Sequence, residues 1–467
     1  MMKKKLLSLA LAGMMVLGLA ACGGNGGDTS SDASTDSSTD SSAAAPTGAA
    51  FKLGGTGPLT GAAAIYGVAA KNGATIAVEE INAKGGDIQF DLRYEDDVHD
   101  AEKAVNAYNT LKDWGMQLSL GSVTSKPAEA TSVKNNEDRI FALTPSASST
   151  ATIEGKDDVF QMCFMDPNQG SASATYISEK KLGTKIAVIW KNDDVYSKGI
   201  HETFVAKAEE LGLEIVSDTT FADGNDTDFS VQLTDAQKNG ADLVFLPMYY
   251  QPASLILAQA QGMSYAPKWF GVDGMDGILT MDGFDTTLAE GVMLLTPFNA
   301  DAEDQQTKDF VAKYQEKYNE IPNQFAADAY DCVYAYYQAL TNAKATPDMD
   351  ATTLCDLILL SSPCKPIWST APSQSTGIGR LRLWTWIPPS HRSRPKTPGW
   401  QRLFPLRTSA MPCSTEAKTP TSHIGLSPGS ATRPTAPCPS NCSPAGSRKT
   451  ARKSWSRPMP PPTAASG

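Results

Sequence analysis

Histidine is scarce in this chain. His99, His201, His391 and His423 are the only four, too scattered to propose a metal site or a catalytic relay. Cysteine adds little. The eight residues Cys22, Cys163, Cys332, Cys355, Cys364, Cys413, Cys438 and Cys442 contain no C-x-x-C pair, which removes a metal knuckle and gives no sign of a disulfide framework. No H-E-x-x-H motif occurs. The sequence therefore names no enzyme, no cofactor and no metal.

Long hydrophobic runs are also missing. The longest, Leu6 to Ala21, is too short to cross a bilayer as an ordinary helix, and it follows Lys3-Lys4-Lys5. That order reads as an export signal over residues 1–21. It ends in Leu19-Ala20-Ala21-Cys22-Gly23, small residues ahead of a thiol, so Cys22 is the expected point of lipid attachment to a membrane. Residues 22–49 are almost wholly Gly, Ser, Thr, Asp and Ala, with nothing to bury, and are expected to form a flexible tether. The globular part is then expected outside the cytoplasm, as a monomer with no nucleic-acid partner.

The last stretch, residues 361–467, lacks acid. Glu416 is its only carboxylate against 15 Lys and Arg, and it holds 19 of the 30 prolines and five of the eight tryptophans, with no Asp and no Tyr. The rest of the chain carries 25 basic and 50 acidic residues. No helix or strand period persists through the stretch. A disordered basic tail for acidic partners is one reading. An out-of-frame translation from Ser361 accounts better for so abrupt a change of vocabulary.

Between these ends, residues 50–360 alternate short apolar runs with longer amphipathic ones. This is the pattern of β-α units and a mostly parallel sheet. The strand runs are Ala50–Thr56, Ile88–Leu92, Gln117–Leu120 and Ile140–Leu143, then Lys185–Trp190, Glu214–Thr220, Asp242–Leu246 and Lys268–Val272, with Gly291–Pro297 leading on to the last helices. Helices are predicted over Ala62–Ala83, Ala101–Trp114, Lys126–Asn136, Thr175–Leu182, Gly199–Leu211, Phe229–Asn239, Pro252–Gly262, Asp304–Tyr318 and Asn323–Thr341. The expected fold is α/β, two doubly wound parallel-sheet lobes joined by a hinge. The first lobe is assigned about 50–165 plus 270–325, and the second about 166–269 plus 326–360.

Two loops of small hydroxyl residues carry the candidate site. Gly121-Ser122-Val123-Thr124-Ser125 and Thr144-Pro145-Ser146-Ala147-Ser148-Ser149-Thr150 each follow a strand, at the sheet edge where ligands bind in open α/β folds. A helix after the first would aim free N–H groups at an anion such as a carboxylate. Tyr66, Tyr196, Tyr249, Tyr250 and Asp273 fall just past strands or at helix starts on the same edge. Gly55-Thr56-Gly57-Pro58-Leu59-Thr60-Gly61 lacks the spacing of a nucleotide loop and reads as a strand-to-helix turn. The acidic groups Asp96, Asp97, Asp100, Asp193 and Asp194 read as solvated faces or helix caps.

Laid end to end, these pieces resemble the type I periplasmic binding proteins of ABC importers, in the branched-chain amino acid branch. The resemblance rests on Gly57–Gly61 with Tyr66-Gly67, Ile81–Gly86, Gly121–Ser125, Thr144–Ser148, Tyr196–Gly199, Tyr249-Tyr250 and Gly271–Gly274. It implies a two-lobed clamp that closes over an amino acid and presents it to a membrane permease. Ser125 and Ser148 would bind the α-carboxylate. The Ser146 carbonyl and the Asp273 carboxylate would take the α-ammonium, with Ala147 in the same loop. Tyr196 and Tyr249 would arrive from the second lobe, and Tyr66 would wall the side-chain pocket. Relatives with a disulfide across the first lobe have Cys where this chain has Val98 or His99 and Thr124, so no such staple is expected. An amino-acid sensor docked to a membrane receptor, or a surface enzyme, would be the alternatives.

Overall fold

The computed structural model describes residues 46–361, 382–386 and 400–405. The signal sequence, Cys22, the tether up to residue 45 and everything after 405 lie outside the described residues.

The first lobe is built on β1 (Phe51–Gly57), α1 (Ala64–Ala83), β2 (Phe90–Asp96), α2 (Ala101–Trp114), β3 (Leu118–Leu120), α3 (Ser125–Asp138), β4 (Ala142–Thr144) and β5 (Val159–Gln161). Its five strands are all parallel, in the order β2-β1-β3-β4-β5. The second lobe carries α4 (Asp166–Lys180), β6 (Lys185–Lys191), α5 (Val195–Glu210), β7 (Glu214–Phe221), α6 (Ser230–Lys238), β8 (Leu243–Leu246), α7 (Tyr250–Gly262), β9 (Lys268–Gly271) and β10 (Met293–Thr296). Strands β7-β6-β8-β9-β10 run parallel in its sheet. Two parallel-sheet α/β lobes are therefore present, as the alternation of runs predicts.

The division between the lobes differs from the expected one. β9 and β10 stand in the second sheet, so 270–296 belongs to the second lobe. The chain then crosses back. α8 (Gln305–Tyr318), α9 (Gln324–Ala343) and α10 (Ala351–Ser361) pack on the first lobe, which reverses the assignment of 326–360. The physical reason is the small-residue face of α1. Lys313 and Lys317 of α8 pair with Glu80 and Glu79 of α1. A Cβ at Gly73 of α1 would sit 1.9 Å from the Ala326 carbonyl oxygen of α9, so the two helices approach backbone to backbone. Tyr336 of α9 also donates its hydroxyl to the Ser119 carbonyl in β3, at 2.6 Å. Gly73→Val, which overpacks a backbone contact that no rotamer can relieve, is expected to cost about 3 kcal/mol. Chemical denaturation would read this as a lower midpoint with an unchanged slope.

Two further strands lie in the stretch after 361. β11 (Arg382–Trp386) pairs antiparallel with β10, and β12 (Trp400–Pro405) pairs antiparallel with β11. The expectation of a tail without strands is corrected at these two segments, which extend the second sheet at its β10 edge.

Candidate functional site

The first-lobe half of the site is two loops stitched together. Thr56 Oγ1 and Ser122 Oγ are 2.8 Å apart, Thr144 Oγ1 donates to the Ser122 carbonyl at 2.8 Å, and Ser146 Oγ donates to the Val123 carbonyl at 2.7 Å. Ser125 opens α3, and its Oγ accepts from the N–H groups of both Ser148 and Ser149 at 3.2 Å. Gln161, at the end of β5, donates Nε2 to the Ala147 carbonyl at 2.6 Å and to the Ser149 carbonyl at 2.9 Å. Ser125, Ser146, Ala147 and Ser148 are all buried. The clustering follows from the parallel β3-β4 pair, which brings both strand ends to one edge.

The second-lobe half centres on Asp273, in the turn after β9. Asp194 caps α5 by accepting from the Tyr196 N–H at 3.0 Å, which places Tyr196 in the first turn. The Tyr196 hydroxyl donates to Asp273 Oδ1 at 2.5 Å and accepts from the Gly274 N–H at 2.9 Å. The Tyr196 ring stacks on that of Tyr249, centroids 4.7 Å apart and planes 4° from parallel. Burial pushes the Asp273 carboxyl up to about 6, against the hydrogen bonds from Tyr196, Gln169, Gln324 and Gly274 that favour its charge.

Tyr66 of α1 joins the halves. Its hydroxyl donates to the Gly274 carbonyl and accepts from the Tyr250 N–H at 3.1 Å, both in the second lobe. Its ring lies 5.4 Å from Tyr249 and 4.3 Å from Phe325. The role implied for Tyr66 as a pocket wall thus has a companion that the sequence did not reveal, a bridge between the lobes. His99, at φ 56° in the turn after β2, sets its ring edge against Tyr249 at 5.3 Å and places Nδ1 2.8 Å from Thr124 Oγ1. This hydrogen bond joins two of the positions weighed for a staple, while Cys163, Cys332 and Cys355 are buried free thiols.

Asp166, missed from sequence, links the two clusters. It opens α4, its N–H donates to the Ser148 carbonyl at 2.9 Å, and its side chain is buried. Burial drives its carboxyl well above the carboxylate range, and the charges of Asp273 and Asp194 raise it further. The Ser148 hydroxyl is close enough to favour the Asp166 charge, yet among the described residues neither Asp166 oxygen nor Ser148 Oγ has an aligned hydrogen bond. The buried Tyr249 hydroxyl has no hydrogen-bond partner among the described residues either. Each unsatisfied buried polar group costs about 1–3 kcal/mol, so these atoms are suited to a small polar ligand that would satisfy them. The signal for Asp166 was Asp-Pro at a helix start, a capping pattern hidden by the Gly and Ser residues that follow. The helix accordingly begins at Asp166 rather than at Thr175.

The other acidic residues are structural. Asp96 accepts from the Leu59 and Val98 N–H groups at 2.8 and 2.9 Å, Asp100 caps α2, and Asp193 accepts from the Asp223 N–H at 2.9 Å. No His, Cys, Asp and Glu cluster among the described residues has the arrangement of a metal site. Burial pushes Asp97 up to about 7, and Asp194 and Asp276 up to about 6, like Asp273. These carboxyls and Asp166 hold protons more tightly folded than unfolded. Stability should therefore fall as pH rises from the ordinary carboxylate range, about 4, through their folded values. His99, pushed down to about 4 by burial and by Lys191 and Lys126, acts the opposite way below about pH 6.5, one group against these carboxyls and against Asp328 and Asp331, which burial also pushes up. The melting temperature is expected to be higher near pH 5.5 than near pH 7.5, and a thermal scan series checks it.

Residues 50–354 match the periplasmic binding protein family. The chain belongs to that family. Its members bind solutes rather than transform them. The Leu/Ile/Val-binding protein homolog 3 of Brucella melitensis is 28% identical over 303 residues, 64% of this chain and 81% of that protein. The leucine-, isoleucine-, valine-, threonine- and alanine-binding protein of Pseudomonas aeruginosa is 26% identical over 307 residues, 65% of this chain and 81% of its own. The branched-chain amino acid transporter substrate-binding protein LivJ of Streptococcus pneumoniae, crystallised with isoleucine, aligns with a TM-score of 0.64 at 28% identity. The alignment covers 72% of this chain and 96% of that one. A benzoate complex from R. palustris, at 18% identity and a TM-score of 0.64, shares the fold alone.

Proposed function

We propose that this periplasmic binding protein is the extracytoplasmic solute-binding subunit of an ABC importer, and that it takes a leucine-, isoleucine- or valine-like amino acid between its lobes. The observation that carries the reading is the placement of opposite chemistries on one interlobe edge. N–H and hydroxyl groups of the Ser125 and Ser148 loops suit a carboxylate, and the buried Asp273 carboxylate suits an ammonium. Ser146 and Ala147 lie in the loop that would offer a carbonyl to the same ammonium. Tyr66, Tyr196 and Tyr249 supply an aromatic wall of the kind an aliphatic side chain packs on.

Closure over the ligand would bury it and create the surface that the permease reads. A thioether-linked lipid on Cys22 would keep the protein at the membrane. No helix among the described residues is long and apolar enough to cross one.

Calorimetric titration of the full chain tests the reading. Leucine, isoleucine and valine are expected to give saturable one-to-one isotherms, glutamine a weaker one and benzoate none, since benzoate brings no charge for Asp273. Benzoate binding with no response to any amino acid would refute it.

A further inference from the structure

We propose that Gln324 is a positioning residue at the hinge, one that couples the Asp273 carboxylate to lobe closure without touching the ligand. This rests on the amino-acid reading above. Gln324 is the first residue of α9 and is 1% exposed. Its backbone N–H donates to Asp276 Oδ2 at 3.0 Å, its Nε2 donates to the Asp273 carbonyl at 3.1 Å, and its Oε1 accepts from Thr296 Oγ1 at 3.1 Å. All three partners lie in the second lobe, Asp273 and Asp276 beyond the end of β9 and Thr296 as the last residue of β10. The helix that carries Gln324 is fixed to the first lobe, through Ala326 against Gly73 and Tyr336 on the Ser119 carbonyl.

One buried amide therefore ties a first-lobe helix to two second-lobe strand ends, close to where the chain crosses back. The surroundings support a fixed pivot rather than a loose joint. The Asp276 carboxylate accepts from the first N–H of α9, where the helix favours negative charge. Gly277 adopts φ +99°, and a Cβ there would meet Ile65 of α1 at 2.7 Å, so the turn that follows Asp276 fits closely against the first lobe.

Asp273 consequently has two tethers of different origin. Its carboxylate is held from the second lobe by Tyr196, while from the first lobe Gln324 holds its carbonyl and also favours the charge of the carboxylate. A change in the angle between the lobes moves the carbonyl that Gln324 holds, and with it the carboxylate an ammonium would bind. Ligand capture and hinge angle then become one coordinate, which is coupling through a named contact rather than through distance.

The test uses the full chain, leucine as probe, and three readouts: affinity, dissociation rate, and the fall in radius of gyration on saturation. Gln324→Met keeps the length and removes both side-chain hydrogen bonds. It is expected to weaken leucine binding at least about tenfold, mainly through faster dissociation, and to shrink the ligand-induced contraction. A purely structural role would lower the melting temperature and leave the contraction of the folded fraction at the wild-type value. That result would overturn the proposal.

Gln324→Glu covers the case in which the Met variant does not fold. It retains an acceptor for Thr296, loses the donor to the Asp273 carbonyl and regains a donor only when protonated. Its deficit relative to wild type at the same pH is expected to narrow on acidification, and a deficit constant with pH would count against the coupling. Wild-type protein that binds no amino acid would overturn the amino-acid reading and this proposal together. A variant that matches a binding wild type would overturn only this one.

Discussion

Asp273→Ala is expected to weaken leucine binding by about 3 kcal/mol, roughly a hundredfold, because it removes one partner of a buried charge pair and strands the ammonium in a desolvated site. The carboxylate is 3% exposed and already receives the Tyr196 hydroxyl, so it is oriented before a ligand arrives. Orientation of this kind lowers the ordering cost that binding must offset. Tyr196→Phe leaves the charge and removes only that orienting bond, and should cost about 1 kcal/mol. Calorimetry on the two variants separates charge from orientation. Equal losses in both would mean that Asp273 acts only through its network and does not meet the ligand. The alanine variant should also remain folded, since it deletes a carboxyl that burial penalises.

Acidification is the second large effect. A free protein whose Asp273 titrates at about 6 binds an ammonium in the carboxylate form, and the bound ammonium holds that carboxyl lower than in the free protein. The complex then carries fewer protons than the free protein across this range, and affinity falls as pH falls. Between about pH 7.5 and pH 4.5 the loss should reach roughly ten- to thirtyfold, as expected for a group titrating about 1.5 units above the lower pH. Stability is expected to move the other way over the upper part of that range, because the same buried carboxyls favour the folded state when protonated. Weaker binding with a higher melting temperature is a signature that partial unfolding cannot produce. Asp273→Asn should flatten most of the pH dependence of binding.

Much of the scaffold was legible from hydrophobic period and turn chemistry. α2 is bounded by Asp100 and Gly115, a side-chain cap and a left-handed C-cap, and its predicted ends coincide with the observed ones. The loops after β3 and β4 were visible because apolar runs ended in hydroxyl clusters. The lobe assignment was not legible after residue 270. Whether Lys268–Gly271 joins the first or the second sheet is decided by neighbouring strands, which local pattern does not encode. The start of α4 is obscured in sequence because Gly170, Ser171 and Ser173 dilute its helical period, although those small residues are what let it approach α5 at Gly170.

At the site, the residues placed by resemblance fall into two clusters on one edge. The ones that support them, Asp166, Gln161 and Gln324, carry no motif of their own. Their importance arises from three-dimensional partners: a carbonyl at Ser148, two carbonyls in the next loop, and two strand ends of the opposite lobe. Polar residues with such long-range partners are indistinguishable in sequence from solvated Asp and Gln.

A crystal structure of the full chain with leucine bound would test the central claim most directly. The account predicts the carboxylate within hydrogen-bond distance of Ser125 Oγ and the Ser148 N–H, and the ammonium within hydrogen-bond distance of the Asp273 carboxylate, with both lobes in contact with the ligand. Leucine held by one lobe alone, or with its ammonium away from Asp273, would contradict it.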